Sequence, residues 1–350
     1  GSASQDMEKI LSGLIRKNID LDRFMLCSDD LDPLDLFQHG HVDRIIRKAR
    51  NIIMENSCHD LETATITAIS LATLNPGNYF STYFKLQKMN GIGEVTVGKK
   101  ANLVVLDSLD SLNINSVIHN GDVKVENGHN RDGQTGYDYE PFFNKVNVGR
   151  KLSPDDFTVR APAAVGPIKV KVIDVIPGSI VTGFEKIDFK VVNNEIMADS
   201  QQDIAKIGVF ERHHGSGSHA LGFVRGLGIK RGAIASTIAH DSHNIIVAGV
   251  DDRSMARAVN HLVERGGGMV AVTDKIDHFP LRICGLMSDS PLEVVVKEYA
   301  HIRNRARHTG CELYNTFMTM AFLALPVIPK LKITDRGLVD VEKFDFVDLF

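Results

Sequence analysis

The 350-residue sequence predicts an α/β fold, and three observations carry that reading. A short apolar run, Phe24-Met25-Leu26-Cys27, enters Ser28-Asp29-Asp30 and is flanked by two amphipathic helical patterns. Residues 91–128 hold short β-like runs punctuated by Asn120-Gly121 and Asn127-Gly128, a hairpin signal. From Ile168 onward, alternating and β-branched runs are interleaved with two capped helical patterns.

The first helix is read from Met7, Ile10, Leu11, Leu14 and Ile15, and the helix after the apolar run from Val42, Ile45, Ile46, Ala49, Ile52 and Ile53. Both sets follow the i, i+3, i+4, i+7 spacing of a half-buried helix. An uninterrupted apolar run between such helices is what a strand covered on both faces looks like. Functional groups gather at the carboxyl end of such a strand, where Ser28, Asp29 and Asp30 stand. The opening Gly1-Ser2-Ala3 reads as a cloning remnant, and the helix after it as the start of a piece cut from something longer.

His39-Gly40-His41 could be a metal clamp, but it follows a loop rather than an apolar strand, so loop or helix-cap histidines are the alternative. Asp60 is an N-cap for a helix through Ala64, Ala68 and Leu71, which should stop before Asn75-Pro76-Gly77. Residues 127–165 are polar and rich in Gly, Asn, Asp and Pro, a linker from which Phe142, Phe143, Phe157 and Val159 could dock. Beyond it, strands are expected at 168–176, 180–192, 204–211 and 219–225, with β-branched runs at 233–239 and 245–250. A helix starting at Asp251 or Asp252 should end at Gly266-Gly267-Gly268. A second begins at Ser290-Pro291-Leu292-Glu293, read as a capping box.

Composition narrows the function classes. A net charge of −4 leaves no basic footprint for nucleic acid. No apolar run approaches the ~20 residues of a membrane helix. Four scattered cysteines, Cys27, Cys58, Cys284 and Cys311, read as reduced core residues of a cytoplasmic protein.

Four stretches could carry chemistry. Ser28-Asp29-Asp30 is either a carboxylate pair at a strand end or a helix cap. Ala239-His240-Asp241-Ser242-His243-Asn244 sets five polar side chains between apolar runs, suited to metal ligation or proton transfer. Glu211-Arg212-His213-His214-Gly215-Ser216-Gly217-Ser218-His219 could be a ligand loop or a surface loop, and is not a phosphate loop. Gly226, Gly228 and Gly232 miss the dinucleotide fingerprint by one residue. The H-x-E and P-C-x-x-C pair of cytidine-type zinc deaminases is absent.

From about residue 7 to Phe350 the sequence resembles the bacterial and archaeal adenine deaminases of the amidohydrolase superfamily. The resemblance is carried by Cys27-Ser28-Asp29-Asp30, Gly40-His41-Val42-Asp43, Ala72-Thr73-Leu74-Asn75-Pro76, residues 98–107 and residues 334–340. Its strongest part is residues 230–244, ending Ala239-His240-Asp241-Ser242-His243-Asn244. It implies the C-terminal remnant of a (β/α)8 metal-dependent hydrolase barrel over 1–85, a small β domain over 86–128, a linker over 129–165 and a C-terminal α/β domain over 166–350. The implied reaction is adenine plus water giving hypoxanthine plus ammonia, in purine salvage. The implied cofactor is a divalent metal, manganese first, with iron or zinc as alternatives. Asp29 would be both metal ligand and proton acceptor, with Asp30 as the fallback. His240, Asp241 and His243 would contact substrate, the two histidines touching either substrate or metal.

The first half of the family's barrel, with its other ligands, is not in this sequence, and one carboxylate cannot hold a catalytic metal that takes about three protein ligands. The resemblance therefore implies a partner, the missing N-terminal barrel half, an inactive chain when alone, and a homo-oligomer. Two rival readings stay open. One is a non-catalytic module that binds a nucleobase or metal or serves assembly. The other is an independent metal-hydrolase on His213, His214, His219, His240 and His243.

Overall fold

The computed structural model describes residues 1–2, 6–83, 91–131, 136–162 and 166–350. Helices and sheets are mixed throughout, as an α/β class requires, and the chain divides into two compact units. The first comprises Gly1, Gln5–Leu31 and Gln38–Tyr137; the second comprises Ser2–Ser4, Asp32–Phe37 and Asp138–Phe350.

The N-terminal helices are α1 (Met7–Arg16), α2 (Pro33–His39), α3 (Val42–Asn56), α4 (Leu61–Ser70) and α5 (Leu74–Tyr83). The apolar stripes of α1, α3 and α4 meet at Leu11, Ala49, Ile52, Ile53, Ala64 and Ala68, which form the first unit's helical core. Asp60 caps α4 as its position predicts, accepting the Thr63 amide at 2.9 Å. Asn75-Pro76-Gly77 does not lie beyond the helices; it falls in the first turn of α5. First-turn amides have no partner within the helix, so a proline there removes no bond. A four-stranded antiparallel sheet follows: β1 (Leu103–Leu106), β2 (Ile114–His119), β3 (Asp122–Glu126) and β4 (His129–Asn130). Its two tight turns are the Asn-Gly pairs, with Asn120 at φ 50°, Gly121 at 88°, Asn127 at 49° and Gly128 at 76°. Positive φ at both central residues is what a type I′ hairpin needs, which explains the residue choice.

The run at 24–28 is not a strand. Its residues are alternately half-buried and exposed, and it is tied by the Leu26 amide to the Leu71 carbonyl (2.9 Å). The side-chain amide of Asn75 donates to the carbonyls of Leu21 and Phe24. A parallel strand exists only through its neighbours, and among the described residues none lies beside this one. The cysteines also depart from expectation. All four are free, but only Cys311 is buried, and Cys27 and Cys58 are exposed.

The second unit is built on a ten-stranded sheet. Its strands are β5 (Val159–Arg160), β6 (Pro167–Val175), β7 (Thr182–Val192), β8 (Glu195–Ile196), β9 (Ile204–Phe210), β10 (His219–Arg225), β11 (Ala233–Ser236), β12 (Ile245–Gly249), β13 (Gly268–Val272) and β14 (Ile276–Pro280). The spatial order is β14-β13-β11-β12-β9-β10-β6-β7-β8-β5, antiparallel everywhere except between β6 and β10. Three helices, α6 (Asp252–Glu264), α7 (Leu292–Arg307) and α8 (Thr316–Phe322), complete it with a small antiparallel sheet of β15 (Leu331–Thr334), β16 (Gly337–Asp340) and β17 (Asp345–Val347).

Period-2 alternation sorts the central strands into two cores. Ala233, Ala235, Ile245, Val247, Val270 and Val272 meet Met255, Val259 and Leu262 of α6. Ile234, Ile246, Ala248, Ile207 and Val209 meet Tyr299, Ile302 and Ala306 of α7, Phe317 and Met320 of α8, and Ile333 and Leu338. Asp251 caps α6 by accepting the Ser254 amide at 2.7 Å. No side chain caps α7; Pro291 takes the cap position expected of Ser290. Of the residues expected to dock from the polar stretch, Phe157 and Val159 are buried and Phe142 stays exposed.

Candidate functional site

Antiparallel pairing brings three turns to one end of the ten-stranded sheet. Phe210 of β9 is opposite both His219 of β10 and Ile245 of β12, and Ser236 of β11 is opposite Ile246. The 211–218 and 237–244 loops therefore leave from the same edge. The β15–β16 turn joins them through Asp335, whose Oδ1 accepts Asn244 Nδ2 at 3.0 Å and whose Oδ2 accepts Ser218 Oγ at 3.1 Å.

Arg212 is the hub of these loops, with 1% exposure. Its guanidinium donates to the carbonyls of His243, Cys284 (3.0 Å), Lys145 (3.4 Å) and Thr237 (3.4 Å). Burial lowers its pKa to about 10, with Cys284 and Glu211 opposing that shift, so the charge persists at neutral pH. Glu211 beside it closes its own loop. Burial alone would raise its pKa, but amide donors from Ser216, His214 and His213, together with the Ser216 hydroxyl, bring it to about 2.

His240 packs its ring against Phe322, centroids 4.5 Å apart, and stands 5.5 Å from the His243 ring. His243 is in the left-handed region at φ 51°, and its Nδ1 accepts the Ala239 amide at 3.3 Å. Asp241 is exposed and lines a cavity shared with Ser242 and Asp335. His213 Nε2 donates to the Ser242 carbonyl at 2.7 Å, binding the two loops together. His219 stacks on Phe210, and its Nδ1 donates to the Gly217 carbonyl. The structure thus gathers His240, Asp241, His243 and His213 in one loop region, but does not assemble the five-histidine metal-hydrolase. Those rings are engaged with backbone and aromatic neighbours, and among the described residues no three His, Cys, Asp or Glu side chains are grouped to hold a metal ion.

Asp29 stands in the first unit, exposed at φ 52°, and its Oδ1 accepts the Asp30 amide at 2.8 Å. His41 is at the α3 N-cap, but its side chain makes no cap; Asp43 accepts its amide and pairs with Arg47. The donors described for this chain do not by themselves fit a divalent metal, since a lone carboxylate offers one of about three protein ligands. Sequence reasoning passed over Arg212 as the hub and Asp335 as its outer clasp, because their bonds span 31 and 91 residues. The only local signal was an arginine two residues beyond the mostly apolar run of β9.

The second unit is an α/β domain with a largely antiparallel sheet and a polar cluster at one sheet end, and its residues 179–345 match the family described as the adenine deaminase C-terminal domain. The similarity extends further. The chain is 38% identical over 353 residues to an adenine deaminase of Clostridium botulinum, covering 100% of this chain and 56% of that protein. It is 39% identical over 355 residues to one of Methanothrix thermoacetophila, covering 100% and 57%. For one of Roseobacter denitrificans it is 37% identical over 351 residues, covering 99% and 56%. Along its whole length the chain is similar to these adenine deaminases, and it spans little more than half the length of the curated relatives it matches.

Proposed function

We propose that the protein to which this chain contributes converts adenine and water to hypoxanthine and ammonia, as a hydrolase of purine salvage in the cytoplasm. The observation that supports it is the end-to-end similarity, 36–39% identity, to proteins named adenine deaminase. In this reading residues 1–85 complete a (β/α)8 barrel with a segment the relatives possess beyond the matched part. Residues 86–128 form the small β domain, 129–165 a linker and 166–350 the C-terminal domain.

The relatives' activity implies a divalent cation, manganese first and iron or zinc as alternatives. Asp29, with Asp30 as the fallback, is its first candidate ligand here, and most of the remaining donors would come from outside this chain. Asp29 also has the chemistry of a proton carrier: its carboxylate takes the proton of the attacking water and returns it to the departing amine. His240, Asp241 and His243 would contact the base. No described helix is long and apolar enough to cross a membrane, and association into a homo-oligomer is part of the proposal.

Steady-state assay of a protein with the relatives' full length tests it. Asp29→Asn should lower kcat by about 10²–10⁴ without moving Tm, because the side chain is exposed. Undiminished kcat in that variant would remove Asp29 from the mechanism. The second reading, a nucleobase-binding or assembly module without chemistry, is favoured by one observation: Asp29 is not grouped with further ligands.

A further inference from the structure

Three residues after Asp29 the chain enters the second unit, which includes Asp32–Phe37. Asp32 opens α2: its Oδ1 accepts the Leu34 amide at 2.8 Å, its carbonyl accepts the Leu36 amide at 2.9 Å, and Pro33 takes the first helical position. One carboxylate oxygen suffices for such a cap, and the other is ordinarily left to water. Here Asp32 is 0% exposed. Its Oδ2 lies 4.0 Å from Nη1 of Arg303, and the Tyr299 hydroxyl also faces the carboxylate. Burial raises the Asp32 pKa, and Tyr299, the Leu34 amide and Arg303 oppose that rise. Asp35, one turn on, is buried too and accepts the Tyr314 hydroxyl at 3.2 Å, while the Arg303 guanidinium stacks on the Tyr314 ring at 4.8 Å. Leu34 between them joins the core that holds Tyr299 and Ile302. Two buried carboxylates are more than a seven-residue helix needs, because burying a charge costs unless it is paired.

What they fasten is the backbone leaving Asp29. Asp29 is exposed at φ 52°, and among the described residues its carboxylate makes a single hydrogen bond, with the Asp30 amide. That bond sets a local turn and not a place. Upstream the span is held at Leu26, whose amide donates to the Leu71 carbonyl. Downstream it is held at Asp32, and three residues reach at most roughly 10 Å. An anchored Asp32 therefore confines Asp29 to a small volume, and a released one does not.

We propose that Asp32 is a positioning residue for Asp29: held against Tyr299 and Arg303 of α7, it fixes the downstream end of the 27–31 span and makes the placement of the Asp29 carboxylate depend on that helix. The role of Asp29 in the reaction rests on the function proposed above; the anchor does not.

Hydrogen–deuterium exchange of the 350-residue chain and steady-state kinetics of a protein with the relatives' full length test it, each with Asp32→Asn and Tyr299→Phe. The first variant keeps the capping oxygen and the second keeps the buried ring. Exchange in residues 28–37 should quicken about tenfold in both, while α3 and β9 exchange as in the wild type. In the longer protein kcat for adenine should fall about tenfold or more with KM unchanged, as displacement of a catalytic group requires and a general loss of stability does not. Exchange in 28–37 left at the wild-type rate in both variants, or quickened equally in α3 and β9, overturns the inference. So does wild-type kcat in a variant whose 28–37 segment has loosened. If the longer wild-type protein turns over adenine and both variants match it, this inference fails alone. If the longer wild-type protein has no turnover, the deaminase reading fails, and the exchange measurement by itself decides whether Asp32 holds the span.

Discussion

The Arg212 guanidinium donates its Nε–H to the main-chain carbonyl of His243, so a charge buried in the second unit is neutralised by backbone dipoles rather than by an acid. That bond fixes the loop carrying His240 and Asp241 to the strand end that carries Glu211. Arg212→Leu would remove the donor from four carbonyls, one of them on the buried Thr237 and three part-buried, and an unsatisfied buried carbonyl costs about 1–3 kcal/mol. Arg212→Leu should therefore lower the unfolding free energy by roughly 3 kcal/mol or more, read by urea denaturation. Arg212→Lys should rescue little of it, since an ammonium cannot reproduce the planar fork.

Lys206 and Asp252 form the second buried charge arrangement. Lys206 Nζ is 2.7 and 2.9 Å from the two Asp252 oxygens and 3.0 Å from the Phe157 carbonyl, with 1% of the side chain exposed. Removing one partner strands the other in the core. Asp252→Ala should cost about 3–5 kcal/mol, whereas a double replacement by Met and Leu should cost less. A double-mutant cycle in urea measures the difference; equal costs for the single and double variants would contradict the pairing.

Acid stability should show two windows. Burial, with the Gly267 carbonyl opposing, lowers the pKa of His278 from 6.5 to about 4. Unfolded chains therefore take up that proton first, and stability falls as pH drops from about 6.5 to 4. Glu211, lowered from 4.5 to about 2, contributes stability that is complete above about 4.5 and is lost as pH falls towards 2. Denaturation at pH 7, 5 and 3 should show His278→Gln flattening the upper window and Glu211→Gln the lower one. A wild-type pH slope in either variant would rule out that group's contribution.

The amino-acid sequence carried the locally determined parts of this fold and little of the rest. The strand at 219–225, the caps at Asp60 and Asp251 and the Asn-Gly turns were legible because each depends on residues a few positions apart. The 24–28 run was misjudged because apolar content alone does not make a strand, and among the described residues no strand pairs with it. Pro76 was read as a breaker when the same chemistry serves a first turn. The loop 239–244 stood out as polar residues in an apolar setting, yet its fastening by Arg212 and Asp335 joins distant segments and leaves no spacing to read.

Within that loop the expected substrate contacts should separate in their effects. His240 stacks on Phe322, whereas His243 also holds backbone through Nδ1. In the longer protein His240→Ala should raise KM for adenine about fivefold with Tm nearly unchanged. His243→Ala should lower Tm as well as raise KM. Thermal scans beside initial-rate measurements check both, and an unaltered KM in both variants would place the adenine site elsewhere.

The most direct measurement is hypoxanthine formation from adenine by two purified proteins, the 350-residue chain and one with the full length of its relatives, each with added manganese. The account predicts turnover by the longer protein and none by the 350-residue chain, in whose described residues no three possible ligands are grouped. Adenine turnover by the 350 residues alone would contradict it.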